Sequence, residues 1–363
     1  MDEIIPRRSI FTLFPPPHFL EMQAAGISLS EKKIRIILLE QKGRSFFVKK
    51  NAEKKIPDGI IVSGEIVKRE EFIALLAEVK KELGLQFVSV GLPDEKAYLF
   101  KTTLPKSSED SLQQAVEFKL EENVPIAPSE AVFEAYLLPR PKHTSEHVDV
   151  SVCVYPREVI SFYTDLFVSA GLVPVSFKAE AEAIARAVLK RGTTETILLV
   201  NIGDQKSSVS IVSEGRARFT SIVAVGSETL THAIERTFNV STEEALKMKK
   251  EGGFVKNKKN EEFFFALVNA ISVLKDEIMK VYSYWENHIE AETEIDQKIK
   301  RICLTGRDAN LLGFAEQIGL RVKLKTEVSN VWVNVSSLDE EIQKVNFEDS
   351  LDFASAIGLA LSS

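Results

Sequence analysis

Alternating and helically spaced apolar residues divide the chain into short segments, and two distant stretches follow one plan. In the first, Ala25-Gly26-Ile27-Ser28-Leu29 runs through the polar Ser30-Glu31-Lys32-Lys33 into residues 34–39 and turns near Gly43. In the second, residues 199–203 pass through Asp204-Gln205-Lys206-Ser207-Ser208 into 209–212 and turn at Glu214-Gly215. Each predicts strand, tight polar turn, strand, glycine turn, strand. A helix is predicted over 69–83, with Phe72, Leu75, Leu76 and Val79 on one face and Gly84 as its stop.

The next stretch is built differently. Strands are predicted over 87–93 and 97–103, then a helix capped by Ser107 or Ser108 and ended by Asn123 and Pro125. Strands over 131–138 and 148–155 follow, then a helix over 157–170 that stops at Gly171. The order is β-β-α-β-β-α, read as a module inserted into the first lobe. Further on, helices are predicted over 178–190, 230–238 and 243–250, the last opened by a capping box of Ser241 and Glu244. The longest predicted helix covers 263–289; a buried-type strand over 301–304 and helices over 310–318 and 353–361 follow.

At 363 residues the chain is long for a single core, which favours two lobes. The expected division is an extended arm over 1–24, a first lobe over 25–86 and an inserted subdomain over 87–175. A return to the first lobe over 176–195 and a second lobe over 196–349 come next, with a helical subdomain at 230–298 and a closing segment at 350–363. Pro15-Pro16-Pro17 gives the arm a polyproline bias and interrupts any secretory h-region. The net charge of −7 argues against a nucleic-acid partner. No apolar run approaches the roughly 18 residues of a membrane span. Cys153 and Cys303, each among apolar neighbours, read as buried thiols in a reducing compartment, so a cytoplasmic location is expected. The five histidines lack ligand spacing, and no metal site is predicted.

Two strand–turn–strand halves make a clamp for nucleotide phosphates. Turn N–H groups face the phosphates, and strand-end aspartates organise Mg²⁺. A third, glycine-bearing turn passes the adenine and ribose, and catalysis is then largely positioning. Here the strand ends carry Ser28 and Asn201. The residues of this degenerate cleft are Gly26, Ser28, Ser30 and Lys33 in the first half, and Asn201, Gly203, Ser207, Ser208 and Gly226 in the second. Thr305 and Gly306 lie in the third turn, beside Arg307 and Asp308. No catalytic residue and no definite cofactor is assigned; the pattern leaves either an empty, vestigial cleft or one that takes ATP with Mg²⁺ without turnover, as in a pseudo-ATPase.

The segment Leu112-Gln113-Gln114-Ala115-Val116-Glu117-Phe118-Lys119-Leu120-Glu121-Glu122-Asn123-Val124-Pro125 and the strand over 130–136 resemble the PilM family of type IV pilus assembly proteins, relatives of the actin-like division protein FtsA. Residues 155–159 and 170–174 are similar to it too, as are 222–231, 241–253, 301–314 and 356–360. The resemblance implies an α/β, actin-like (ribonuclease H-like) two-lobe fold with the inserted subdomain. It implies a cytoplasmic scaffold that binds the short N-terminal tail of the inner-membrane protein PilN and assembles into a ring, reaching the membrane only through partners. The implied peptide groove lies between module and first lobe, with Val116, Phe118, Leu120, Val124, Pro125 and Ile126 as candidate contacts. Two other readings compete: an actin-like ATPase holding Mg²⁺ through water and Asp204, and an FtsA-type division filament. The latter expects an amphipathic membrane helix after 353–361, which the sequence does not contain.

Overall fold

The computed structural model describes residues 23–43, 45–62, 64–105, 109–138, 147–258, 260–289, 297–335 and 345–361. The expected N-terminal arm, the Ser107/Ser108 cap and the loop over 139–146 lie outside the described residues.

The chain forms two units. The first contains β1 (Ala25–Leu29), β2 (Lys33–Lys42), β3 (Ser45–Lys55), the short β4 (Ile61–Val62) and β5 (Glu65–Ile66), α1 (Arg69–Leu83) and β6 (Phe87–Leu92). It continues with β7 (Tyr98–Pro105), α2 (Glu109–Asn123), β8 (Ala131–Leu137), β9 (His147–Pro156), α3 (Arg157–Ser169), β10 (Val173–Ala179) and the start of α4 (Glu180–Val188). Its main sheet has the order β10-β6-β1-β2-β3. Ile27, Ile36, Phe72, Leu76, Val79, Val88, Val90, Leu166 and Phe167 form its buried core. The helical spacing of Phe72, Leu76 and Val79 puts the apolar stripe of α1 inward. Gly84 ends α1 at φ +60°, where its N–H closes on Lys80 O.

The second unit contains β11 (Thr196–Ile202), β12 (Ser207–Ser213), β13 (Arg216–Val223), α5 (Ser227–Phe238), α6 (Thr242–Gly252), α7 (Glu261–Ala270) and α8 (Ser272–His288). Then come β14 (Ile299–Gly306), α9 (Phe314–Val322), β15 (Lys325–Val328) and α10 (Phe347–Ser350). Its sheet runs β13-β12-β11-β14-β15. Read from the antiparallel edge, β3-β2-β1-β6-β10 and β13-β12-β11-β14-β15 are the same order. In each, a three-stranded meander is extended by two parallel strands. The final helix, α11 (Ala354–Ala360), falls almost entirely in the first unit.

Several expectations need correction. The strand at 87–92 pairs with β1 and β10 and belongs to the main sheet, not to the inserted module. Helix α3 likewise buries Tyr163, Leu166 and Phe167 in the main core. The module is therefore the sheet β7-β9-β8 with α2 on one face, sealed by Leu104, Leu112, Val116, Leu120, Val150, Val152 and Val154. An apolar run such as 87–92 does not reveal which sheet it will join. Residues 184–195, expected to return to the first lobe, belong to the second unit. Asn334 Nδ2 fastens them there by donating to the carbonyls of Arg186 and Leu189.

The single helix expected over 263–289 is two helices. Ile271, with φ −95° and ψ 5°, breaks the run and is itself buried. Phe263 and Leu267 on α7, and Leu274, Ile278 and Val281 on α8, are buried on either side of the break. The helix expected over 310–318 starts later, at Phe314, behind a turn in which Gly313 takes φ +77°.

Candidate functional site

The loops of the second unit grow from the ends of β11, β13 and β14. Asn201, at the end of β11, stands opposite Ser208 on β12 and Thr305 on β14. Gly203 opens the turn, and its N–H donates to Lys206 O at 2.9 Å. A Cβ at 203 would lie 2.5 Å from that same oxygen, so the turn requires glycine there. Ser207 Oγ donates to Val225 O at 2.6 Å, and Ser208 is buried. Gly226 packs flat on the turn, where a Cβ would stand 2.6 Å from Asp204 O. Helix α5 begins at once. Its first N–H groups, normally left over at a helix N-terminus, are taken by the turn: Ser227 N–H donates to Gly203 O at 3.0 Å and Glu228 N–H to Asp204 O at 2.9 Å.

The third turn follows β14. Thr305 is fully buried and its hydroxyl donates to Leu351 O at 3.3 Å. Gly306 has φ +83°, and a Cβ there would lie 2.3 Å from Ile202 O and 2.5 Å from Asn201 Oδ1. Arg307 then spans two carboxylates: its Nε lies 3.1 Å from Asp204 Oδ1, and its Nη2 donates to Asp352 Oδ2. Asp308, held at φ +64°, accepts from Lys249 Nζ at 2.6 Å. Lys249 is only 3% exposed, and it also donates to Ser227 Oγ and Thr231 Oγ1, both at 2.9 Å. Ser30, grouped with this unit, lies 3.5 Å from Asp204 Oδ2.

Sequence reasoning passed over Lys249 and Asp352. The signal for Lys249 was present, because it follows Ala245 by four residues on the buried stripe of α6. Nothing local marks Asp352, which lies 45 residues from its arginine.

In the first unit, Gly26 lies against α11, where a Cβ would meet Ala356 O at 1.9 Å, so its role there is close packing. Ser28 is buried opposite Arg35. Lys33 and Arg35 both pair with Glu53, the latter at 3.0 Å. Among the partner candidates, Val116, Leu120 and Val124 are core residues of the module and turn away from solvent. Ile126 is half-buried against that core. Phe118 is the contrary case: it is 77% exposed on α2, and Pro125 is exposed beyond the helix end. The module is tied to the main sheet by Lys178 on β10, whose Nζ donates to both oxygens of Glu134 and to Tyr136 Oη on β8.

Titratable groups gather where α4 begins. Asp94 accepts the Ala181 N–H through both oxygens, at 3.2 and 3.1 Å. Desolvation, then the neighbouring Glu180, pushes the Asp94 carboxyl well up. Desolvation also lifts Glu180 to about 7, with Glu95 adding and Arg35 opposing. Burial raises the Cys303 thiol to about 12 and drives Cys153 up as well, so both are poor nucleophiles. Among the described residues, no group of three or more His, Cys, Asp or Glu is arranged to hold a metal ion, and no helix is long and apolar enough to cross a membrane.

A family model described as type IV pilus assembly protein PilM matches residues 26–363. Among solved structures, a PilM–PilN type IV pilus biogenesis complex matches with a TM-score of 0.72 at 20% identity, over 94% of this chain and 98% of that one. The ethanolamine utilization protein EutJ of Carboxydothermus hydrogenoformans matches at 0.54 and 15% identity, over 94% and 89%. MreB5 of Spiroplasma citri, bound to ADP, matches at 0.50 and 14% identity, over 94% and 99%. The fold is thus the actin-like one.

Proposed function

The chain belongs to the PilM family of type IV pilus assembly proteins, and we propose that it works as an adaptor which captures the short cytoplasmic tail of a PilN-like inner-membrane protein. The observation that carries this reading is the family match over residues 26–363, joined to the likeness to PilM in its complex with PilN. On this reading the protein stands at the cytoplasmic face of the inner membrane and reaches it through that partner. Recognition of a short segment, and not turnover of a nucleotide, is its activity.

The chemistry of the inserted module suits peptide capture. Phe118 is a large apolar side chain left in water on a helix whose other face is fully used. An aromatic anchor of this kind contributes disproportionately to an interface. Pro125 and Ile126 continue the apolar surface past the end of α2. The test is calorimetric titration of the full chain with a synthetic peptide of the N-terminal tail of the PilN-like protein from the same cell. Saturable binding with one site per chain is expected. Absence of binding at peptide concentrations well above micromolar would sink the proposal.

A further inference from the structure

We infer that Arg307 and Lys249 take over, from within the chain, the bracing that a nucleotide and its metal give in an actin-like clamp. The second unit therefore holds its loops in place without ATP. This inference is independent of tail binding, because every group it uses lies in the second unit.

A clamp of this type leaves three loops converging at the ends of neighbouring strands. Their backbone N–H groups and carboxylates need a partner of opposite charge, and a bound nucleotide with Mg²⁺ supplies it by touching all three. In this chain the partners are already present. Arg307, in the loop after β14, reaches Asp204 in the turn after β11 and Asp352 in the segment before α11. Lys249, on α6, joins Asp308 of the β14 loop to Ser227 and Thr231 at the head of α5. The N–H groups of Ser227 and Glu228 at the head of α5 donate to Gly203 O and Asp204 O and so fasten that helix to the turn.

The same arrangement is a poor receptor for Mg–ATP. Mg²⁺ is held through carboxylates that keep lone pairs open to it and to its waters. Asp204 and Asp308 are engaged by cations, and the strand end of β11 offers only the neutral Asn201. A polyphosphate brought to these loops would compete with Asp204, Asp308 and Asp352 for Arg307 and Lys249. The residues do not fit the group. What the fold has kept is the mechanical role of the ligand, now carried by a guanidinium whose rigid, planar set of donors fixes two carboxylates at once.

The experiment is thermal unfolding of the full chain with and without millimolar Mg–ATP, for the wild type and for Arg307→Ala, Arg307→Lys, Asp352→Asn and Arg307→Ala/Asp352→Asn. The wild-type midpoint should not move with Mg–ATP. Arg307→Ala should unfold several degrees lower and Arg307→Lys in between. Adding Asp352→Asn to Arg307→Ala should cost less than Asp352→Asn does in the wild type, because the pair is already broken. A wild-type midpoint raised by Mg–ATP would overturn the inference, since only a ligand of the folded state does that. So would an Arg307→Ala protein as stable as the wild type. Should Arg307→Ala fail to fold, Arg307→Lys decides: a midpoint equal to the wild type rejects the brace, and a lower one supports it.

Discussion

Gly358 rests on the backbone of Ala183 so closely that a Cβ at 358 would lie 1.7 Å from the Ala183 carbonyl oxygen. On its other side the same helix, α11, receives β1 through Gly26, beside Ala356 O and Ala360 N. The sequence Ala-Ser-Ala-Ile-Gly-Leu-Ala of α11 is thus dictated by two close approaches of backbone to backbone. Neither contact can be relieved by a side-chain rotation. Gly358→Ala should therefore cost at least about 3 kcal/mol, the upper part of the range for overpacking. Urea unfolding should show the midpoint fall with little change in slope; a shift within error would mean that α11 can slide.

Glu180 gives the protein a pH signature. Its carboxyl binds a proton more tightly in the folded state, near 7, than in the unfolded chain, near 4.5. The charged groups facing it are Glu95, Asp94 and Arg35. Ionising a group with a raised pKa costs stability, so its contribution is fully present below about 4.5 and is lost as pH rises through 7. Glu180→Gln should match the wild type at pH 4.5 and exceed it at pH 8, by up to about 3 kcal/mol. Chemical denaturation at the two pH values measures this, and an equal difference at both would remove Glu180 as the cause.

Lys249 is a buried ammonium with a buried role. Lys249→Met would strip Asp308 of its counter-charge and leave the hydroxyls of Ser227 and Thr231 to find other partners. The loss of one partner from a buried pair costs about 3–5 kcal/mol. Lys249→Met/Asp308→Asn should recover part of it, since asparagine tolerates the left-handed backbone at 308. Equal stabilities for the single and double variants would show that the pair is not coupled.

Phe118 separates binding from folding. At 77% exposure it contributes little to the core, so Phe118→Ala should change stability by no more than about 0.5 kcal/mol. Titration with the partner tail should weaken at least about tenfold, as removal of an anchor does. An unchanged affinity would place the anchor elsewhere on the module.

Much of the fold was legible because it is written locally. Helix α1 announces itself through Phe72, Leu76, Val79 and the glycine that stops it, and the paired hairpins through their alternation and polar turns. Assignments that depend on distant partners were not legible. Nothing in Phe87–Leu92 says that its neighbours are β1 and β10 rather than β7. The break at Ile271 is not legible either, because no proline or glycine marks it and the apolar spacing continues across it. The candidate site divides the same way. The loss of aspartate at Ser28 and Asn201 can be read from the chain, whereas the engagement of Asp204 by Arg307, across 103 positions of sequence, needs the fold. Val116, Leu120 and Val124 are candidate contacts through the family resemblance, which marks the helix and not which of its faces meets the module core.

The inserted module has one more property. Tyr98, where β7 begins, stands directly opposite Val154, near the end of β9, as the two sides of one rung in their antiparallel ladder. The chain thus leaves the main sheet after β6 and comes back to it at α3 through two points side by side, and α3 leads on to β10, the parallel neighbour of β6. With the module excised and Ala97 joined to Tyr155 by a short turn, what remains is an ordinary β-α-β crossover. The module is a graft on a complete scaffold, free to be exchanged for another in descent or by design without redrawing the sheet that carries it.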